Sequence, residues 1–209
     1  MSKIIKDQVS AYYTSKLKTF GETPQGVDWN STESQTLRFR QLCQVIAEDD
    51  FSVVDFGCGY GAMLEFLKHE YETFSYAGFD ISQDMIASAN EKFKDERDVF
   101  WCHKEEEIPA SDYVIASGIF NVKMEFDEAM WKKYILDTLH TINTIAKKGF
   151  SFNILTSYSD AEYMKNNLYY ADPTFFFDFC KKNFSRQVAL LHDYPLYEFT
   201  IIVRKNYDQ

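Results

Sequence analysis

The stretch of residues 52–61, SVVDFGCGYG, contains the features that decide the fold. It begins with an apolar run that is typical of a buried strand and is interrupted only by Asp55. Gly57, Gly59 and Gly61 follow at alternate positions, and a segment with one apolar helical face comes next. A strand, a glycine turn and a helix N-terminus in this order are typical of a loop that binds a nucleotide-like ligand, because glycine lets the ligand approach the backbone closely.

Two acidic residues indicate which ligand this loop binds. Gly57, Gly59 and Ala62 also satisfy the looser dinucleotide pattern, so the glycines alone leave the choice open. The carboxylate of Asp55 would repel a pyrophosphate, whereas it suits a ligand that carries an ammonium and a sulfonium, such as S-adenosylmethionine. Asp80 ends the next apolar strand, and an acidic residue there can accept both hydroxyls of an adenosine ribose.

At these residues the sequence resembles the class I S-adenosylmethionine-dependent methyltransferases. Residues 55–61 match the family's first motif, acidic-x-G-x-G-x-G, without a break, and Asp80 matches the acidic end of its second strand. Residues 81–86 are similar to the family's segment after that strand, and residues 111–117 to its fourth-strand motif. The resemblance covers about residues 34–205 and implies methyl transfer from S-adenosylmethionine, with S-adenosylhomocysteine as the product.

Strands that alternate with amphipathic helices predict an α/β fold with a single doubly wound, seven-stranded and mostly parallel sheet. Residues 187–191 and 198–204 are two strands whose short link allows only an antiparallel pair, so the sheet should close in a C-terminal hairpin. This ending fits the methyltransferase sheet and is not expected of a dinucleotide-binding dehydrogenase. We predict one domain overall, in which residues 1–33 form a helix and loop over the cofactor site and residues 34–209 form the methyltransferase domain.

Composition argues against several classes of function. The chain has 209 residues and a net charge of −10, which disfavours nucleic acid as a partner because phosphate binding needs clustered Lys and Arg. It has no apolar run of about 20 residues and no signal-peptide core, so we expect a cytoplasmic protein without membrane contact. Its 4 cysteines stand far apart without metal-ligand spacing, so we expect neither a metal site nor disulfides. The oligomeric state stays open.

In an open parallel sheet, ligands bind beyond the carboxyl ends of the strands, where the strand order reverses. This rule and the resemblance together place the cofactor against the loops that follow the first four strands. After the third strand the family has an acidic residue beside the adenine, but this sequence departs from that pattern, and Cys102 and His103 are the candidates there. The predicted cofactor-binding residues are Asp55, Gly57, Cys58, Gly59, Gly61, Asp80, Ile81, Met85, Cys102, His103, Ser117 and Gly118.

Three residues are candidates for catalysis. His192 and Asp193 could act as a base, because their turn lies at the cofactor edge if the sixth strand runs with the parallel set, although a lone histidine in a turn is more often solvated. Asn121 could orient a substrate hydroxyl, or it could cap a helix. Arg38 could bind the methionine carboxylate, or it could be an ordinary exposed helix residue.

Aromatic residues in the predicted loops are the candidates for binding the methyl acceptor, namely Tyr12, Tyr13, Trp29, Phe120, Tyr158 and Tyr194. Tyr12, Tyr13 and Trp29 could instead cover the cofactor, and packing alone explains them about equally well. Because the fourth strand is not followed by the N-P-P-Y or D-P-P-Y motif of amide methylation, we predict O-methylation of a small molecule, such as a metabolite or a sugar derivative. Two alternatives stay open here: a NAD-dependent oxidoreductase with a similar glycine loop, and a non-catalytic S-adenosylmethionine-binding partner protein.

Overall fold

The structure, a computed structural model, describes residues 2–27 and 31–205, and within these ranges the chain forms seven strands and six α-helices. The strands are β1 (Asp50–Phe56), β2 (Thr73–Phe79), β3 (Val99–Cys102), β4 (Ser111–Ala116), β5 (Ala146–Leu155), β6 (Gln187–Leu191) and β7 (Glu198–Arg204). The helices are α1 (Ser2–Phe20), α2 (Thr32–Cys43), α3 (Ala62–Glu70), α4 (Gln83–Lys92), α5 (Glu128–Ile145) and α6 (Pro173–Asn183). Short 3-10 turns occupy Pro24–Val27, Glu105–Glu107 and Ala161–Tyr163.

All seven strands form one sheet in the order β3-β2-β1-β4-β5-β7-β6. β7 runs antiparallel to both of its neighbours, β5 and β6, and the other neighbouring strands pair in parallel. The predicted mostly parallel sheet with an antiparallel C-terminal hairpin is therefore confirmed. The strand order reverses between β1 and β4, so a crevice opens beyond the carboxyl ends of these two strands.

Helices cover both faces of the sheet because its strands are apolar on both sides. β5 shows the alternation: Phe150 and Phe152 pack into the core layer of α5 and α6, whereas Ser151 points to α2 and donates a 2.8 Å hydrogen bond to the carbonyl of Leu42. Trp131 is completely buried in the first layer. None of the helices in the described part of the chain is both long and apolar enough to cross a membrane.

A side-chain cap begins α2, and strand pairing ends α5. The side chain of Ser31 caps α2 by accepting the N–H of Ser34 at 3.2 Å. α5 ends at Ile145, and β5 begins directly after it at Ala146, which pairs with Ser111 of β4.

α1 is longer than the short N-terminal helix that the sequence predicts, with 19 residues. Ile5 and Val9, four positions apart, bury one side of it against the core. Polar contacts fix it to the loop after β2: Ser10 donates to the carbonyl of Ile81 at 3.1 Å. α1 therefore lies beside the edge of the sheet where the strand order reverses.

Candidate functional site

All three glycines of the loop after β1 have positive φ angles, +88° at Gly57, +54° at Gly59 and +87° at Gly61. Residues with a side chain rarely adopt this conformation. Space is a second reason: a Cβ atom on Gly57 would lie 2.2 Å from Ile119, and one on Gly61 would lie 2.6 Å from the ring of Phe93. Backbone conformation and packing thus both require the glycines that the sequence pattern singles out.

The glycine loop is tied to the end of β2. The N–H groups of Gly57 and Cys58 both donate to the carbonyl of Phe79, at 2.7 and 2.9 Å. The carboxylate of Asp80 accepts the N–H of Gly59 at 3.0 Å. Asp80 therefore lines the space beside the loop and also shapes the loop itself, and the sequence prediction for this residue did not include the second role.

Two carboxylates in this region have pKa values well above the ordinary range. Asp55 is 2% exposed, and burial raises its pKa to about 7, although its Oδ2 atom accepts a 2.8 Å hydrogen bond from the hydroxyl of Tyr76. Burial raises the pKa of Asp80 to about 6, against the opposing effect of hydrogen bonds from the N–H groups of Ser82 and Gly59. A cation between the two carboxylates would favour their ionised forms.

These carboxylates line a cavity, the glycine-loop pocket, with an empty volume of about 840 Å³. Most of the predicted cofactor residues lie on its wall, namely Asp55, Gly57, Cys58, Gly59, Asp80, Ile81, Met85, Ser117 and Gly118. The Oγ atom of Ser117 is buried and has no hydrogen-bond partner among the described residues. An unsatisfied buried hydroxyl on the wall of a cavity is suited to bind a polar group of a ligand.

Three predicted cofactor residues do not line this pocket. Gly61 caps α3, and a Cβ atom on it would lie 2.8 Å from Trp101, so the glycine serves helix packing. Cys102 is 2% exposed within the apolar core, and its carbonyl accepts the N–H of Asp80 at 3.2 Å. His103 is half-buried outside the pocket wall. The adenine contacts of Cys102 and His103 stay a prediction that this pocket wall does not directly support.

Sequence reasoning missed most of the wall that helices provide. Besides the predicted candidate Tyr13, α1 contributes Val9, α2 contributes Gln35 and Phe39, and α5 contributes Tyr134. Gln35 gave a usable signal, because a polar residue on the apolar face of an amphipathic helix is either paired or functional. The others are apolar or aromatic residues that the sequence does not distinguish from core.

A second pocket adjoins the first and has an empty volume of about 1270 Å³. Tyr13, Val27 and Gly118 line both pockets, so the two meet at these residues. The rest of the second wall consists of Arg38, Asn121, Val122, Leu155, Ser159, Tyr163, Lys165, Leu168, Tyr170, Pro195, Leu196 and Tyr197. Its residues come from α1, the 3-10 turn Pro24–Val27, α2, the end of β5 and the segments that follow β4, β5 and β6.

Asn121 lies on the wall of the second pocket. Its Oδ1 atom accepts the N–H of Leu155 at 3.1 Å, and its carbonyl accepts the N–H of Tyr169 at 2.8 Å. The helix-cap alternative is wrong, because α5 begins after Asp127, whose own side chain caps it. With Oδ1 occupied and no hydrogen bond from Nδ2 to any described residue, the amide N–H₂ group is available to a ligand.

His192 and Asp193 follow β6, which runs parallel to β5, so their turn lies at the same edge as both pockets. Both residues are exposed, and neither lines a pocket. The ring of His192 lies 5.8 Å from that of Tyr158 and 6.2 Å from that of Phe199, between centroids. Their role as a base stays a prediction that this geometry does not directly support.

The aromatic candidates are spread over different environments. Tyr13 lines both pockets, whereas Tyr12 is half-buried and lines neither. Tyr158 is 70% exposed beside His192. Trp29 lies outside the described residues.

Two aromatic candidates belong to the core. Phe120 is completely buried and its carbonyl accepts the indole N–H of Trp131 at 2.9 Å, so its predicted contact with the acceptor is corrected. Tyr194 is 8% exposed, and its hydroxyl is 2.9 Å from that of Thr200. It lines neither pocket, so core packing accounts for it as well.

A buried ion pair lies behind the second pocket. The Nε atom of Arg38 donates to the carboxylate of Glu198 at 2.8 Å, and the two side chains are 9% and 0% exposed. Burial raises the pKa of Glu198, while its ion pair with Arg38 opposes that rise. Arg38 is therefore neither an exposed helix residue nor a lining residue of the glycine-loop pocket.

Comparison with known proteins identifies the class. A family profile described as a methyltransferase domain matches residues 54–149. Rv1506c of Mycobacterium tuberculosis (strain ATCC 25618 / H37Rv), a methyltransferase by name, is 48% identical over 162 residues, which cover 77% of this chain and 97% of that relative.

Solved structures show the same fold. Magnesium protoporphyrin IX methyltransferase from Synechocystis PCC 6803, solved with S-adenosylhomocysteine, has a TM-score of 0.64 and 13% identity over 98% of this chain and 100% of that one. Human N-acetylserotonin methyltransferase, solved with S-adenosylmethionine, has a TM-score of 0.60 and 15% identity over 96% of this chain and 66% of that one.

The chain belongs to the class I S-adenosylmethionine-dependent methyltransferases, as its fold, its glycine loop and its relatives together show. It is an enzyme that uses S-adenosylmethionine as the methyl donor. The glycine-loop pocket fits this cofactor, because it offers two carboxylates to a cationic adenosyl ligand and the unpaired hydroxyl of Ser117 to a polar group. The alternative of a NAD-dependent oxidoreductase is wrong.

Proposed function

We propose that the enzyme transfers the methyl group to a hydroxyl of a small molecule bound in the second pocket. The observation that carries this proposal is the junction of the two pockets at Tyr13, Val27 and Gly118. A donor in the first pocket and an acceptor in the second would meet there. Two of the fold relatives are named for small-molecule acceptors, magnesium protoporphyrin IX and N-acetylserotonin, which supports an acceptor of this size class.

The residues of the glycine-loop pocket would hold the cofactor, which supplies a methyl group already activated by a sulfonium. Asp55 would attract the positive charges of the ligand, and Asp80 would accept hydrogen bonds from the ribose. Ser117 would bind a further polar group of the ligand. The protein's main contribution to the rate is then to align acceptor and donor and to exclude water from the junction.

In the second pocket Asn121 is the residue that we propose to orient the acceptor hydroxyl. Its amide is held in one orientation by the hydrogen bond from Leu155, so the Nδ2 donors are pre-organised. We retain His192 and Asp193 as the proposed base, because Pro195 on the same turn lines the second pocket. A shift of this turn would be needed to bring either residue to the acceptor.

A turnover assay tests the proposal. Purified enzyme with S-adenosylmethionine should release S-adenosylhomocysteine with members of a panel of small hydroxylated compounds, and Asn121→Ala should lower the rate with those acceptors by more than it weakens cofactor binding. Asp137→Asn, an exposed surface change on α5, is the control and should leave the rate unchanged.

Release with amines or proteins alone would contradict hydroxyl methylation. Cofactor binding by calorimetry without turnover on any hydroxylated compound of the panel would contradict it as well.

A further inference from the structure

We propose that the acceptor carries an anionic group on an apolar, aromatic body, and that Lys165 binds the anionic group at the mouth of the second pocket. This inference rests on the proposed function, since it names the class of acceptor for the same pocket. Its test uses binding probes, so that it can fail while methyl transfer stands.

The sign of the charge on the pocket wall is opposite to that of the whole molecule. The chain carries 32 acidic and 22 basic residues, for a net charge of −10. Among the described residues that line the second pocket, however, the charged side chains are Arg38 and Lys165, and no Asp or Glu is present. The described lining therefore offers an anion positive charge and no carboxylate, although Asp160 and Glu162 lie beside the lining residue Tyr197 and the surface as a whole is acidic.

The two cations are not equivalent. Arg38 is compensated directly by Glu198, at 2.8 Å from Nε to the carboxylate. Lys165 is exposed and forms no ion pair with any residue in the ranges 2–27 and 31–205. Its backbone is anchored, because its N–H donates to the hydroxyl of Tyr170 at 3.0 Å. Lys165 is thus a positive charge on the wall that has no ion-pair partner among the described residues and whose backbone is anchored.

An aromatic ring pair stands beside this charge. Tyr163 and Tyr197 are 60% and 45% exposed, and their ring centroids are 5.9 Å apart. The hydroxyl of Tyr197 donates to Asp160 at 2.5 Å, which holds its ring in place and keeps that carboxylate beside the pair instead of on the pocket wall. Exposed rings at the mouth of a cavity favour a ligand with a flat apolar body that covers them.

Two fluorescent probes that differ mainly by one charge provide the test. 1-Anilinonaphthalene-8-sulfonate has an aromatic body with a sulfonate, and N-phenyl-1-naphthylamine has the same body without it. Both are titrated into protein saturated with S-adenosylhomocysteine, so that the glycine-loop pocket is filled. Calorimetry of S-adenosylhomocysteine binding is recorded first, since its failure would count against the proposed function itself.

We expect Lys165→Ala to weaken binding of the sulfonate probe by about threefold to tenfold, with no change for the neutral probe. Lys165→Arg should bind the sulfonate as the parent protein does, and added salt should weaken only the charged probe. Lys147→Ala is the matched control, because Lys147 is an exposed lysine near the start of β5, away from the pocket, and should change neither probe. Leu196→Trp, which fills the pocket, should exclude both probes.

Three results would overturn the inference. The sulfonate probe could fail to bind the saturated protein, Lys165→Ala could affect both probes equally or neither, or Leu196→Trp could leave both bound.

Discussion

The Oδ1 atom of Asn153 on β5 accepts a 2.7 Å hydrogen bond from the backbone N–H of Gly118, one of the three residues at which the two pockets meet. On the adjacent strand β7, the buried carboxylate of Glu198 is paired with Arg38 on α2. Buried polar groups from β5, β7 and α2 thus support the backbone where donor and acceptor would react.

Replacing Asn153 should therefore affect turnover as well as stability. Asn153→Ala removes the acceptor for the buried N–H of Gly118, and we expect it to cost about 1–3 kcal/mol in the free energy of unfolding. Because Gly118 lines both pockets, we also expect kcat to fall more than the affinity for S-adenosylmethionine. Urea unfolding and steady-state kinetics provide the two measurements. A variant that loses stability but keeps the parent kcat would show that Asn153 acts on the fold alone.

The ion pair of Arg38 and Glu198 should be costly to break from one side. Arg38→Met leaves the fully buried carboxylate of Glu198 without its cation, and we expect a loss of about 3–5 kcal/mol in the free energy of unfolding. The double variant Arg38→Met/Glu198→Leu should recover part of this loss, because no buried charge then remains. Urea unfolding of Arg38→Met, Glu198→Leu and the double variant measures the coupling free energy between the two side chains. Strictly additive losses in the free energy of unfolding would contradict this coupling.

The pH should shift the stability of Arg38→Met in a defined direction. Burial already raises the pKa of Glu198, and loss of the cation raises it further. A raised folded-state pKa means that the stability contributed by this group is present at low pH and lost as the pH rises. The loss in the free energy of unfolding of Arg38→Met, relative to the parent protein, should therefore be larger at about pH 8 than at about pH 6. An equal loss at both pH values would argue against a buried, uncompensated carboxylate.

Cofactor binding should also depend on pH, through Asp55 and Asp80. Burial raises their pKa values to about 7 and about 6, so the ligand-free protein loses stability from these groups as the pH rises through that interval. A cationic ligand favours the ionised forms of the two carboxylates, so it binds more tightly as the pH rises through the same interval. The increase in Tm that S-adenosylmethionine produces should therefore grow from about pH 5.5 to about pH 8. Asp55→Asn should flatten this profile, and a flat profile in the parent protein would contradict the argument.

The glycine loop offers a comparison between two neighbouring positions. Gly57→Ala places a Cβ atom 2.2 Å from Ile119, whereas Gly59→Ala places one 3.2 Å from Val27, and both positions have positive φ. The left-handed conformation alone costs about 1–2 kcal/mol, so both variants should be less stable than the parent protein. Gly57→Ala should lose clearly more stability than Gly59→Ala, because the clash of its Cβ atom with Ile119 adds to the conformational cost. Equal Tm values for the two variants would show that the loop relaxes around the new methyl group.

The sequence was sufficient for the features that depend on local pattern. Residues 187–191 and 198–204 are the observed β6 and β7, because alternating apolar strands with a short link have only one arrangement. The glycine loop and Asp80 also followed from spacing, since both belong to one strand–turn–helix unit and the strand beside it.

Features that depend on distant partners were not predictable. The burial of Arg38 depends on Glu198, which is 160 residues away in the chain. Cys102 and His103 were predicted to contact adenine because they follow β3, but neither lines the glycine-loop pocket. Part of that wall comes instead from α1, which contributes Val9. Phe120 and Tyr194 show the same limit, because composition does not tell an aromatic residue on a pocket wall from one in the core.

Isothermal titration of S-adenosylmethionine into the parent protein and into Asp80→Asn tests the central claim most directly. Asp84→Asn, at an exposed position of α4, is the matched control. We predict one binding site per chain, a loss of about tenfold to a hundredfold in affinity for Asp80→Asn, and no loss for Asp84→Asn. Undiminished binding by Asp80→Asn, or no binding by the parent protein, would contradict the assignment of the glycine-loop pocket as the cofactor site.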